Sequence, residues 1–239
     1  MKAKSLLVAA VVIAGFSSAF TQTVVITPKK TVYRRPKPQH DFKRTFTIRR
    51  PVAKAATVPL SRKITAAIDP EKVLDIRLKE ELSEYQWLEE ADYKVLFNRS
   101  GVLCLEFWMT GTAAYPDSVT KRVVVDVANG SVVSPSDVLK NLPALAKLVK
   151  KAQTAEVVAA TAEMKSDTDA RPELLFQETD FRVDDFREFA VDNKGVTFFY
   201  DYGFPHVLEA VQPTGEFHFS WSQLRPFIRM DGLLARFVR

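Results

Sequence analysis

One cysteine, eight glycines and three histidines are all that 239 residues contain of the types on which compact chemical sites most often rest. Each scarcity excludes something. The lone Cys104 cannot form a disulfide within the chain, so packing must hold the fold together. It lies in the alternating run Val102-Leu103-Cys104-Leu105-Glu106-Phe107, which reads as a buried, inert thiol. A nucleophilic cysteine would need a base, and only His40, His206 and His218 could supply an imidazole. The glycines are scattered at turn positions, so there is no glycine-rich phosphate loop, and no serine stands in a nucleophile-elbow motif. Glu216-Phe217-His218 sets a carboxylate and an imidazole on one strand face, and His206 would add a third donor. Zinc needs three or four convergent ligands, and no recognised spacing supplies them. Asp184-Asp185 reads as surface. No cofactor and no metal is implied, and catalysis is the less favoured function class.

Long apolar runs are equally scarce. The one candidate is Ser5–Phe16, behind the basic Lys2 and Lys4 and ahead of the small residues Ser17-Ser18-Ala19. This pattern predicts a signal peptide over 1–19, cleaved after Ala19. The run is short of the roughly 20 residues a membrane span requires, which leaves an uncleaved anchor as the alternative. No cysteine follows it, so a lipoprotein anchor is excluded. The expected location is secreted or periplasmic.

The formal charge of +5 averages two unlike regions. Residues 29–63 hold twelve Lys and Arg against one acid, Asp41, whereas residues 64–239 hold 20 basic and 28 acidic side chains. Pro28, Pro36, Pro38, Pro51 and Pro59 punctuate the basic part. Such a composition offers too few clustered apolar residues to offset ordering entropy, so 20–67 is expected to be a disordered or extended tether. The short alternations around Val24-Val25-Ile26, Phe42, Phe46 and Ile48 leave an edge strand as the alternative. Residues 29–63 would suit an anionic envelope polymer or membrane surface, or act as a solvated linker. Export makes nucleic acid the weakest of the partners.

From Asp69-Pro70 an N-cap opens an expected amphipathic helix of four turns or more, carried by Val73, Ile76, Leu78, Leu82, Tyr85 and Leu88, with Trp87 as core or helix-end anchor. Tyr93, Val95 and Phe97, then Leu103, Leu105, Phe107 and Met109, alternate about a turn at Asn98-Arg99-Ser100-Gly101 and predict a hairpin. Lys121–Val127 reads as a third strand running into Asn129-Gly130, which suits a tight turn. A capped short helix at Ser134-Pro135-Ser136-Asp137, a long helix over Leu142–Met164 and a further short helix within Pro172–Asp185 follow. Phe189–Ile228 closes the chain with a hairpin about Asp192-Asn193-Lys194-Gly195, an aromatic break at Tyr202–His206, a strand through Phe217, Phe219 and Trp221, and a short helix. The aromatics on both faces of Thr197–Tyr200 suggest a central strand covered on both sides, or one face kept for binding. The fold class is α+β, an antiparallel sheet packed with helices.

Gly101–Ser118, the strand–Asn-Gly–strand–Asp-Val-Leu unit over Lys121–Leu139, and the terminal unit Phe189–Ile228 carry a family likeness. Over residues 68–230 the ordering resembles the extracellular domain shared by RsiV-type anti-sigma factors and PdaC-type peptidoglycan deacetylases, domain-of-unknown-function family 3298, with 231–239 left as a C-terminal tail. The resemblance implies an extracytoplasmic module that binds an envelope glycan or an envelope-active protein such as lysozyme. Tyr115 falls near where many members carry a histidine, which puts any role of that imidazole in doubt. The chain lacks their sigma-binding, transmembrane and deacetylase parts, so those activities do not carry over.

Candidate ligand contacts are aromatic. Tyr115, Tyr200, Tyr202, Phe204 and His206 lie in or beside two loops at expected strand ends, where such rings stack on sugars, anchor a protein or simply close the core. Trp108 shares the outer face of its strand with Glu106 and is either exposed or covered by the helix from Asp69. The leading function is a non-enzymatic binding module. The alternatives are an envelope polysaccharide-processing enzyme or its accessory subunit, and a structural envelope protein acting through its basic arm.

Overall fold

A computed structural model describes residues 23–164, 171–177 and 179–239. The expected signal peptide lies outside the described residues.

In chain order the elements are β1 (Val25–Arg34), β2 (Thr45–Lys54), α1 (Val58–Ala67), α2 (Pro70–Val73), α3 (Leu78–Ser83), β3 (Leu88–Arg99), β4 (Val102–Thr112), β5 (Pro116–Asp126), β6 (Ser131–Val132), α4 (Pro135–Val138), α5 (Leu142–Met164), α6 (Pro172–Leu175), β7 (Phe189–Val191), β8 (Gly195–Phe199), β9 (Glu216–Ser220) and α7 (Trp221–Leu224). Strands β1 to β6 form one sheet in sequence order, and β7-β8-β9 form a second. Every pairing is antiparallel except β2–β3. That exception follows from α1, α2 and α3, which lie between the two strands and carry the chain back to its starting end. The α+β class with a mostly antiparallel sheet is therefore what the chain adopts.

The large sheet is covered differently on its two faces. Phe46, Ile48, Ala91, Leu103, Leu105, Phe107, Val123 and Val125 pack on one side with Ile64 and Ile68 of the α1 region and with Leu74 and Ile76 beside α2. On the other side Phe97, Val102, Cys104 and Val124 meet Leu145 and Val149 of α5 and the aromatic second sheet. Strand β4 supplies both cores with alternate residues, which is why Val102–Leu105 is an unbroken apolar run. Beyond Leu105 the second face turns polar at Glu106, because the small sheet and α5 cover only one half of it.

The sequence expectation for residues 20–67 is corrected where the structure describes them. β1 pairs with β2 along its whole length, and α1 follows, capped by the Thr57 hydroxyl accepting from the Leu60 N–H. Proline did not exclude strands here. Pro28 and Pro51 oppose each other in register, β1 is an edge, and β2 meets β3 only at Thr47–Glu90 and Ile48–Ala91. Neither proline is thus asked for a ladder donor toward a third strand. Two of the expected tether cations, Arg35 and Lys43, are buried.

The long helix expected from Asp69 is also corrected: α2 stops at Val73 and α3 at Ser83, with Asp75 (φ 54°) and Gln86 (φ 47°) in the left-handed region. The apolar periodicity was real, since Leu74, Ile76 and Leu88 are core. Long-range bonds override helical propensity there. Arg35 donates to the Glu81 carbonyl (2.8 Å), to the Leu88 carbonyl (2.6 Å) and to the Lys43 carbonyl (2.8 Å), with its guanidinium 4.6 Å from the Phe46 ring centre. Residues 231–239 are likewise not a loose tail: Leu234 and Val238 are core, and Phe237 stacks on Trp221 with ring centres 4.5 Å apart. The expected helix over Leu142–Met164 and the two hairpins stand as read.

Candidate functional site

Strand register assembles a surface that no stretch of sequence displays on its own. Lys30 opposes Arg49 across β1–β2, and Arg49 pairs with the Asp92 carboxylate of β3 at 3.0 Å. Asp92 opposes Trp108 on β4, and Trp108 opposes Thr120 on β5. Directly opposed residues share a sheet face, so these five side chains form one row, roughly 19 Å long at the usual strand spacing. The adjacent row runs Val32, Thr47, Glu90, Thr110, Ser118 through successive registered pairs. Val32 is 61% exposed, which marks this half of the face as open. Arg34 extends it beside Thr45.

A third row, Lys94, Glu106 and Arg122, closes the open half against the small sheet. The Arg122 guanidinium lies 2.9 Å from Glu106 and 3.7 Å from the centre of the Phe199 ring on β8. Its backbone N–H donates to Glu188 (3.1 Å), which also pairs with Lys121 at 2.9 Å. This carboxylate–guanidinium–ring stack ends the second core and begins the polar platform. Trp108 emerges two residues beyond Glu106, half-buried between Asp92 and Thr120. It sits on the face opposite α2 and α3, so it is not covered by the segment that begins at Asp69.

The remaining sequence candidates divide. Tyr115, at the β4–β5 turn, is 68% exposed, and its ring centre lies 5.5 Å from that of His206, tilted by 37°. His206 comes from the β8–β9 connection and has Nδ1 3.0 Å from the Glu209 carboxylate. Two loops distant in sequence thus meet at one corner of the platform. Tyr202 and Phe204, by contrast, are buried with Met164 in a small cluster beneath the same connection. The Tyr202 hydroxyl donates to Glu156 of α5 (2.7 Å), and burial, followed by that carboxylate, pushes its pKa well above the ordinary phenol value. Tyr200 is half-buried, 5.1 Å from the Tyr202 ring, and burial raises its pKa as well. These three rings hold the loop and leave Tyr115, His206 and Trp108 as surface groups.

The cations Lys30, Arg34 and Arg49 lie in the basic segment 29–63 that the sequence offers to an anionic surface, but their place on one sheet face with Trp108 and the hydroxyls was missed in the sequence. The signal was available in the spacing Lys30-x-Val32-x-Arg34 and Thr45-x-Thr47-x-Arg49, but only once residues 25–54 are taken as strands. Lys30, Arg34 and Lys94 have no carboxylate within ion-pair distance among the described residues.

The groups weighed as catalytic are dispersed. His218 lies on β9, 3.5 Å from Asp192 at the β7–β8 turn, whereas His206 pairs with Glu209 in the β8–β9 connection. Cys104 is fully buried, and desolvation pushes its thiol up to about 12. Among the described residues no group of three or more His, Cys, Asp or Glu is placed to hold a metal ion, and no helix is long and apolar enough to cross a membrane.

No protein-family model matches the chain, and no curated protein matches it. Solved structures do share its fold. A DUF3298 family protein from Pseudomonas aeruginosa PAO1 superposes with a TM-score of 0.59 at 14% identity, covering 87% of this chain and 94% of that one. A DUF3298 member from Bacteroides fragilis NCTC 9343 gives 0.57 at 14% identity, covering 90% and 97% respectively. At such identity the likeness is one of fold, and it spans nearly the whole of both neighbours.

Proposed function

We propose that this chain, built on the fold it shares with DUF3298 family proteins, is an extracytoplasmic, non-enzymatic binding module for an anionic cell-envelope glycan. The observation that carries this reading is the registered row from Lys30 through Arg49 and Asp92 to Trp108 and Thr120 on an uncovered sheet face. A linear polysaccharide needs a flat tract rather than a deep pocket. Trp108 offers a ring to stack on a pyranose, Thr47, Thr110, Ser118 and Thr120 offer hydroxyls, and Lys30 and Arg34 offer unpaired positive charge. Tyr115 and His206 extend the aromatic surface at the corner. Lys30, Arg34 and Arg49 of the basic segment belong to this same surface, because β1 and β2 hold them in register. Location outside the cytoplasm rests on the amino-terminal sequence pattern.

A protein partner such as lysozyme is the second reading, and what favours it is the exposed Tyr115–His206 pair, a shape suited to anchoring in another protein's pocket. The two readings separate in one experiment. The full chain is co-sedimented with isolated envelope polysaccharide, and in parallel passed over immobilised lysozyme. We expect retention on the polysaccharide, weakened about tenfold by Trp108→Ala, the scale of one lost aromatic contact. The double variant Lys30→Ala/Arg34→Ala is expected to weaken it further and to flatten its dependence on salt. Retention that neither variant alters contradicts the glycan reading. Retention on lysozyme alone, lost in Tyr115→Ala, supports the second.

A further inference from the structure

β1 ends one side of the large sheet: among the described residues it pairs with β2 alone, in an antiparallel register without a shift. Which of its backbone groups face outward follows from that register. It continues to Arg35, whose N–H donates to the Arg44 carbonyl (2.9 Å), and bonded and non-bonded pairs alternate along an antiparallel ladder. Thr31 and Tyr33 therefore direct their N–H and C=O groups to β2, whereas those of Lys30, Val32 and Arg34 point away from it. The Pro28–Pro51 pair falls on the non-bonded positions, where neither ring removes a donor from this ladder. Among the described residues no strand and no side chain takes the outward groups of Lys30, Val32 and Arg34.

An edge of this kind is a template for another strand. Its outward groups repeat about every 7 Å, the spacing of the complementary groups on a second extended polypeptide. Charge selects which polypeptide fits. β1 carries Lys29, Lys30 and Arg34 and no acid, so two copies of the edge repel one another. Lys30 and Arg34 are exposed, and they flank Val32, which is 61% exposed. Neither cation has a carboxylate within ion-pair distance among the described residues. The three side chains share one face of the strand, where directly opposed residues of an added strand would meet them. The complement is a segment with carboxylates opposite Lys30 and Arg34 and an apolar side chain opposite Val32.

We propose that the outer edge of β1 takes up an extended acidic peptide as a further antiparallel strand of the large sheet, bonded through the backbone of Lys30, Val32 and Arg34. This goes beyond the glycan reading: the open face offers side chains to a polymer lying over it, whereas the edge offers backbone to a chain lying beside it. The two surfaces share Lys30 and Arg34, so the test turns on the backbone. The full chain is titrated with the capped peptide Thr-Glu-Thr-Val-Thr-Glu-Thr, followed by calorimetry and by amide hydrogen exchange in NMR. The expected result is saturable binding that weakens as salt rises. Exchange at the Lys30, Val32 and Arg34 amides should slow in proportion to the bound fraction, while Thr31 and Tyr33, already bonded to β2, stay unchanged. Val32→Pro removes one outward N–H, as Pro28 already does along the same edge, and should weaken binding about tenfold, the scale of one or two hydrogen bonds. The peptide N-methylated at its valine and both glutamates should lose binding to the unaltered chain, a result that does not depend on how the variant folds. No binding, binding that leaves those three amides unprotected, or equal affinity for the N-methylated peptide overturns the proposal. Trp108→Ala should leave peptide binding unchanged. Failure here with polysaccharide retention still dependent on Trp108 would leave the glycan reading standing.

Discussion

Tyr202 shows how a residue chosen from sequence for a ligand is used by the fold instead. Its hydroxyl donates to Glu156, whose other oxygen accepts from the Thr214 hydroxyl (2.9 Å) and the Gly215 N–H (3.2 Å). One helix carboxylate thereby ties both ends of the β8–β9 connection that presents His206. Tyr202→Phe should cost about 1–3 kcal/mol in urea unfolding, the range for a hydrogen bond to a charged group together with its stranded partner. Cys104 is the simpler case. With its thiol pushed up to about 12 by burial, it should resist a maleimide reagent in the folded protein and react only once denaturant opens the core. Asp192 makes a pH prediction. Burial alone would raise its pKa, but the N–H groups of Lys194 and Gly195 and the nearby His218 overcome that and hold it below the ordinary carboxylate value. A depressed pKa means that the folded state favours the ionised form. The contribution is therefore present above the unfolded carboxylate value, roughly 3.9, and is lost as pH falls through the lower folded value. Asp192→Asn should accordingly be less stable than the parent near neutrality, with the gap closing in acid, as followed by thermal unfolding across pH.

At the scale of elements, the segment between α2 and β3 depends on Arg35, the residue that follows β1. The guanidinium is fully buried, makes three hydrogen bonds to backbone carbonyls and faces Glu81. Its removal strands a buried carboxylate, so Arg35→Ala should destabilise the fold by about 3–5 kcal/mol in equilibrium unfolding. That dependence explains what could and could not be read ahead of the structure. The β3–β4 hairpin, the capped α4, the whole of α5 and the β7–β8 hairpin follow local rules of period, cap and turn, and were legible. The helix expected from Asp69 was not, because a cation some forty residues upstream decides where it breaks. Strands β1 and β2 were hidden by composition: proline and lysine read as disorder, yet both are what an edge strand tolerates. The candidate site was half legible for the same reason. Trp108, Tyr115 and His206 stood out by residue type, whereas Lys30, Arg34 and Arg49 join them only through registers that cross five strands.

At the scale of the whole molecule, the large sheet separates two surfaces of different chemistry. One half-face is polar and cationic toward β1, and carries a tryptophan at its centre. The other face is packed by short helices that leave a cleft lined by Tyr85 and Trp87. The uneven charge of the chain, basic through 29–63 and acidic after it, thus has a structural expression in the β1–β2 hairpin, which sets unpaired cations at one edge of an otherwise acidic domain. Association with an anionic polymer through that edge should weaken as salt rises, since exposed charges are screened within about 10 Å at moderate ionic strength. The most direct test is backbone amide chemical-shift mapping of the full chain during titration with an oligogalacturonate, a defined acidic oligosaccharide. The account predicts perturbations concentrated on residues 30–34, 45–49, 108–110 and 118–120. Perturbations confined to residues 75–88, or none at all, would contradict it.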